Sequence, residues 1–143
     1  IQAIRKTPIS YKDIISFSKW RNPINHVTLM FTKESYESAG GYSSLKGTED
    51  WDLIFRIIQK GSIVQNIPKV LVKVDAGSDM LRRRRNIQHF RTVMSVIFKM
   101  YSSGYTNLFQ FLLNMFIRIT IRIFPIFFSE LLYSNILRKK NKI

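Results

Sequence analysis

Gly47-Thr48-Glu49-Asp50-Trp51-Asp52-Leu53-Ile54-Phe55-Arg56-Ile57-Ile58-Gln59-Lys60-Gly61 is the stretch that decides how this chain folds. Trp51, Ile54, Phe55 and Ile58 fall at i, i+3, i+4 and i+7, which is one face of a helix. The spacing therefore predicts a helix over Glu49–Lys60, with Thr48 placed to cap its start and Gly61 to stop its end. Asp52 and Arg56 stand four apart and read as a pair on the outer side, contributing about 0.3 kcal/mol. Glu49 and Asp50 occupy the first turn. There the free N–H groups and the positive end of the helix dipole favour each carboxylate by about 0.3–1 kcal/mol. That is reason enough for two acids to be there. It also suits a general base, because a carboxylate kept ionised at a helix end beside a loop is open to a substrate.

Upstream, Ser10 is placed to cap a helix over Tyr11–Trp20, which Arg21-Asn22-Pro23 ends, since a residue before proline is pushed out of the helical region. His26–Lys33 alternates Val27, Leu29 and Phe31 with Thr28, Met30 and Thr32, and reads as a strand. Glu34–Ala39 makes one helical turn, Gly40-Gly41 breaks it, and Tyr42–Gly47 is a loop. Downstream, Ser62–Asn66 and Lys69–Val74 read as two short extended pieces, with Pro68 between them forbidding one central strand. Ala76-Gly77-Ser78 is a loop. Ile87, Phe90, Met94, Ile97, Phe98 and Tyr101 then recur at helical spacing. Leu108–Phe124 and Ile126–Arg138 follow as two further helices, separated by Pro125.

The chain has 143 residues, 23 Lys plus Arg, 9 Asp plus Glu and no cysteine, for a formal net charge of +14. The length fits one ordinary domain. A hydrophobic fraction of 45% excludes a disordered chain, and the lack of Cys excludes a disulfide scaffold, a thiolate metal site and a Cys nucleophile. The charge divides the sequence. Residues 1–81 are nearly balanced, whereas residues 82–143 carry 12 basic residues and the single acid Glu130. Such a charge favours a polyanionic partner: a nucleotide, a nucleic acid or an anionic membrane. The chain begins at Ile1 with no charged-then-apolar leader behind it, so no signal peptide is expected, and a start inside a longer protein is.

In order, the chain shows Arg21-Asn22-Pro23-Ile24-Asn25-His26, Met30-Phe31, Gly40-Gly41-Tyr42, Glu49-Asp50-Trp51-Asp52-Leu53, Arg56, Gly61, Asn66-Ile67-Pro68 and Leu71-Val72. This order resembles the C-terminal half of the catalytic domain of family 2 glycosyltransferases, in particular the bacterial enzymes of capsular and exopolysaccharide synthesis, the amylovoran-type group. The likeness is clearest over residues 18–85. It implies an α/β fold of the GT-A type. Residues 1–81 would form the acceptor-side part of the transferase domain, and residues 82–143 a basic, aromatic tail of amphipathic helices.

The resemblance also implies a reaction: transfer of a sugar from a nucleotide-sugar to a saccharide or lipid-linked acceptor. Asp50 matches the catalytic base, with Glu49, Trp51, Gly41 and His26 around the acceptor. Trp51 also begins the core face of its helix. Arg84 and Arg85 match basic residues that face the diphosphate, a task suited to the planar guanidinium. A divalent metal, Mg or Mn, is expected for the full-length enzyme, where it would offset the charge on the departing diphosphate. This chain departs from the pattern there. Asp13 is the only Asp before Asp50 within these residues, so no Asp-x-Asp motif stands between Ile1 and Asp50, and the nucleotide-binding half that the resemblance implies would be expected before Ile1. No metal site is therefore expected within the chain.

Gln110, Asn114, Arg118 and Arg122 recur every four residues through Leu108–Phe124 and form one polar stripe. As a membrane span this helix would place Arg118 near the bilayer centre, at a cost of about 2.5–3.5 kcal/mol. A helix lying in the interface fits better. Arg82–Arg85 and Arg138-Lys139-Lys140-Lys142 would add about 1 kcal/mol each near an anionic leaflet. The expected location is the cytoplasm, peripheral on the inner face of the plasma membrane. Two other readings stay open: a non-catalytic membrane-surface module, and a basic nucleic-acid-binding protein. The second lacks a named motif and lacks aromatics interleaved with basic residues on a strand platform, so no nucleic-acid partner is expected.

Overall fold

A computed structural model of the chain describes residues 5–74 and 86–123. The elements within them are α1 (Tyr11–Ser18), α2 (Lys33–Ser38), α3 (Glu49–Gln59), α4 (Ile87–Ser102) and α5 (Leu108–Ile123), with one 3-10 turn at His26–Thr28. The predicted helix Ile126–Arg138 and the run Arg82–Arg85 lie outside the described residues.

Most helix ends follow the local chemistry. Ser10 Oγ accepts from the Asp13 N–H at 3.2 Å, and Thr32 Oγ1 accepts from the Ser35 N–H at 3.1 Å, so two N-terminal donors that the helix cannot satisfy find side-chain partners. Gly61 stops α3 in the left-handed region, with φ +87°. Thr48 is a correction. It stands at the N-cap of α3, but its hydroxyl donates to the Leu45 C=O at 3.3 Å and does not cap the helix. Asp50 does part of that work, its Oδ1 accepting from the Trp51 N–H at 2.8 Å.

The strand expected over His26–Lys33 is also corrected. The Thr28 N–H and hydroxyl both reach the Asn25 C=O at 3.0 Å and wind the segment into a turn, leaving Met30 92% exposed. Alternating side chains specify a strand only where another edge pairs with it. Among the described residues there is no such edge and no strand. Ser62–Asn66 and Lys69–Val74 likewise form no strand, with Ile63, Val70, Leu71 and Val72 exposed. The α/β class implied by the resemblance is therefore not visible in the described residues, which are helical.

Helix α3 is the centre of the packing. Trp51 and Phe55 join Val93, Val96, Ile97 and Met100 of α4 in one cluster. Ile54 and Ile58 pack on Ile14 and Ile24, and Leu53 and Ile57 on Ala39. A single apolar face was expected, yet α3 is buried around nearly its whole circumference. Asp52, expected on an outer side, has no exposed surface.

Helix α5 is turned the opposite way to an ordinary surface helix. Two of its polar residues, Asn114 and Arg118, face the protein. Asn114 Nδ2 donates to the Lys19 C=O at 2.9 Å and Arg118 Nη2 to the Trp20 C=O at 2.6 Å, satisfying carbonyls just beyond the end of α1. The Arg118 guanidinium also lies over the Trp51 ring, 5.6 Å from its centre. Burial lowers the Arg118 pKa to about 10, with Arg21 adding to the effect, so the group stays charged at neutral pH. Leu108, Phe109, Leu112, Phe116, Ile119 and Ile123 meanwhile face outward, Phe116 being 67% exposed.

Candidate active site

The head of α3 gathers the site. Two polypeptide turns fix it from either side. Asn22, in the Arg21-Asn22-Pro23 turn, accepts from the Ile24 N–H through Oδ1 at 3.1 Å, which orients its amide. Its Nδ2 then donates to Asp50 Oδ2 at 2.6 Å. Glu49 reaches back to accept a hydrogen bond from the Gly47 N–H. His26, at the start of the 3-10 turn, places Nδ1 3.8 Å from both Glu49 Oε1 and Asp50 Oδ2. At that distance the contact is electrostatic when the imidazole is protonated, and not a hydrogen bond.

Asp50 retains 18% of its side-chain surface, so it is neither sealed nor freely hydrated. Its pKa is raised from the ordinary value of 3.8. Burial is the main cause and Glu49 adds to it, while the Trp51 N–H and His26 act against it. The result is a carboxylate more basic than one in water, held in one orientation by two donors. A proton acceptor gains from both properties.

The opposite wall is the loop after α2. Gly40 and Gly41 both have positive φ, +77° and +68°. A Cβ on Gly41 would lie 3.0 Å from the Tyr36 hydroxyl, so glycine is required there by conformation and by space. Arg56 anchors this loop from α3, donating to the Ala39 C=O and, through Nη2 at 2.8 Å, to the Gly41 C=O. The same guanidinium pairs with the buried Asp52, whose Oδ2 accepts from Nε at 3.1 Å and from Nη2 at 2.8 Å. Lys99 of α4 donates to the other oxygen at 3.2 Å. The loop delivers Tyr42 beside the carboxylates, its ring stacked with His26 at 6.0 Å and 15°. Burial, together with Asp50, Tyr36 and Glu49, raises the Tyr42 pKa and keeps the phenol neutral.

The structure thus brings Asp50, Glu49 and His26 together and puts Gly41 in the wall behind them. Trp51 is turned into the core, where its indole N–H donates to the Ser18 C=O at 2.8 Å. Arg84 and Arg85 lie outside the described residues. Asn22, Tyr42 and the anchoring role of Arg56 were not foreseen as parts of the site. Asn22 stands 28 residues before Asp50, a separation that no local spacing rule spans. Asp50 and Asp52 share a turn of helix but not a site: one lies between Asn22 and His26, the other against the Arg56–Lys99 pair. No group of three His, Cys, Asp or Glu able to hold a metal exists among the described residues.

Comparison with known proteins gives a consistent result. The chain is 33% identical over 134 residues to the amylovoran biosynthesis glycosyltransferase AmsE of Erwinia amylovora, covering 94% of the chain and 50% of that protein. It is 31% identical over 139 residues to an uncharacterized glycosyltransferase of Haemophilus influenzae, covering 97% and 51%. It is 29% identical over 136 residues to the UDP-Gal:alpha-D-GlcNAc-diphosphoundecaprenol beta-1,3-galactosyltransferase of Escherichia coli, covering 95% and 49%. The chain therefore spans about half the length of the curated relatives it matches. No family model matches it. No solved structure matches it either. The likeness to polysaccharide-building glycosyltransferases that the motif order carries is borne out by these relatives.

Proposed function

Because this chain is a relative of bacterial glycosyltransferases of polysaccharide biosynthesis, we propose that it carries the acceptor-side chemistry of a sugar transfer, with Asp50 as the general base. The acceptor hydroxyl gives its proton to the Asp50 carboxylate as its oxygen bonds to the anomeric carbon of a nucleotide-sugar. The bond from that carbon to the nucleoside diphosphate breaks, and the diphosphate leaves with the electron pair. Glu49 and His26 flank the hydroxyl. The observation that carries this reading is the Asp50 carboxylate itself, partly exposed, raised in pKa and held by Asn22 and the Trp51 N–H at the head of α3.

The donor would be a nucleotide-sugar and the acceptor a saccharide or a lipid-linked sugar. Arg84 and Arg85 would face the diphosphate. Mg or Mn would offset the diphosphate charge in the whole transferase. The described residues do not fit that ion: Asp52 is held by Arg56 and Lys99, and the Asp50 carboxylate accepts from Asn22 and Trp51. No step is assigned to a metal through them. The test is Asp50→Asn in a transferase of the relatives' full length, which should lower turnover by about 10²–10⁴ while nucleotide-sugar binding persists. Turnover at the unsubstituted rate would remove Asp50 from the mechanism.

A second reading concerns location and rests on α5. Among the described residues no helix is long and apolar enough to cross a membrane. An uncharged apolar stripe facing outward, in a region with 12 basic residues and one acid, suits attachment to an anionic membrane surface. The inner face of the plasma membrane is the proposed location.

A further inference from the structure

The turns around the carboxylates leave an aromatic surface that the proton-transfer reading does not use. Tyr42 is 41% exposed, and Phe31 and the His26 side chain are also open to solvent. These rings form one connected array. His26 stacks on Tyr42, and Phe31 stacks on Tyr36 at 5.2 Å and 10°. Tyr42 meets Phe31 edge-on at 6.3 Å and Tyr36 at 5.7 Å. The Tyr42 backbone N–H donates to the Tyr36 hydroxyl at 3.3 Å, and the Arg56 anchor on Gly41 fixes the residue before it. The array is therefore held in place before any ligand arrives. His26 lies in both structures at once, its ring against Tyr42 and its Nδ1 beside Glu49 and Asp50.

A packed core hides its aromatic faces. Here fixed, exposed faces adjoin two carboxylates that can accept hydrogen bonds. A pyranose ring has the matching chemistry: a face of C–H groups for an aromatic ring and hydroxyls at its edge for carboxylates. We propose that Tyr42, with His26 and Phe31, forms a platform on which a pyranose ring of the acceptor saccharide stacks. This rests on the sugar-transfer reading above and names the acceptor subsite within it. Tyr42 supplies the ring face, while His26 and Phe31 hold that face and extend it. A hydroxyl at the edge of the stacked ring is thereby delivered toward Glu49 and Asp50.

The test is saturation-transfer-difference NMR on the chain with methyl β-galactopyranoside and methyl β-glucopyranoside as probes. Sorbitol, which offers hydroxyls but no ring face, is the control. At least one pyranoside should show saturated ring C–H signals and sorbitol none. Tyr42→Ala should weaken the pyranoside by about two- to tenfold, the range of one aromatic stacking contact, and Tyr42→Trp should restore it. The Tyr42 side chain is exposed and its N–H contact is backbone, so circular dichroism should show both variants folded. Pyranoside binding unchanged in Tyr42→Ala, sorbitol binding equal to the pyranosides, or no pyranoside response at all would each overturn the platform. None of these outcomes depends on transfer, so the role of Asp50 stands or falls separately.

Discussion

Asp52 and Arg56 form an ion pair whose carboxylate has no contact with solvent and whose guanidinium also holds the carbonyls of Ala39 and Gly41. One residue thus neutralises a buried charge and fixes the loop that faces Asp50. Arg56→Ala removes both functions at once. It should destabilise the chain by about 3 kcal/mol, the lower end for a broken buried pair because Lys99 remains on Asp52. Urea denaturation measures this. Arg56→Lys should not restore the wild-type value, since an ammonium cannot reproduce the planar fork.

The raised pKa of Asp50 has a definite sign in stability. The folded state holds this proton more tightly than the unfolded state does, so the favourable contribution is present below the ordinary value of 3.8 and is lost as pH rises through the raised value. Thermal melts between about pH 4 and about pH 7 should show the wild type losing stability relative to Asp50→Asn as pH increases. If Asp50 is the base proposed above, the acid limb of transfer by a transferase of the relatives' full length should lie above 3.8 for the same reason. Parallel pH curves for the two proteins would contradict the shift.

Arg118 and Arg122 stand one turn apart on α5 and should behave differently. Arg118 is buried on the Trp20 carbonyl and the Trp51 ring, and its truncation leaves a buried acceptor unsatisfied. Arg118→Ala should cost about 1–3 kcal/mol. Arg122 lies over the Phe90 ring from an exposed position, and Arg122→Ala should cost at most about 1 kcal/mol. Chemical denaturation of the two variants side by side checks the contrast.

The outward stripe of α5 predicts a membrane phenotype that is separable from folding. Leu112 and Phe116 are both more than half exposed, so Leu112→Ser with Phe116→Ser should leave the melting temperature nearly unchanged. Partition onto phosphatidylglycerol vesicles should fall by at least about 100-fold, from the lost burial of two apolar side chains. Flotation with unaltered recovery of the double variant would exclude lipid as the partner of this face.

Helix positions were readable because their determinants are local. Ser10 and Gly61 act within one turn, and the 51, 54, 55, 58 spacing marks the core face without reference to the rest of the chain. His26–Lys33 failed because its alternation needs a neighbouring edge, and the Asn25 carbonyl offered a nearer partner to Thr28. Asp52 failed for a related reason. Four-residue spacing to Arg56 revealed the pair, but only the packing of α2, α3 and α4 decides that the pair is inside. In the site, Asp50 and Glu49 were legible from the helix start and the motif order. Asn22 and Tyr42 were not, because their role is set by two turns brought together across α3.

A helix enclosed on nearly every side has few positions free to vary, and α3, with Trp51–Phe55, Ile57 and Ile58 all buried, is such a helix. Any attempt to alter which sugar is accepted should therefore leave Glu49–Gln59 intact, keep Gly41, and randomise the two turns at its head, around His26–Phe31 and at Tyr42. Libraries built on the helix would mostly return unfolded protein, whereas libraries built on the turns would return folded protein with new preferences.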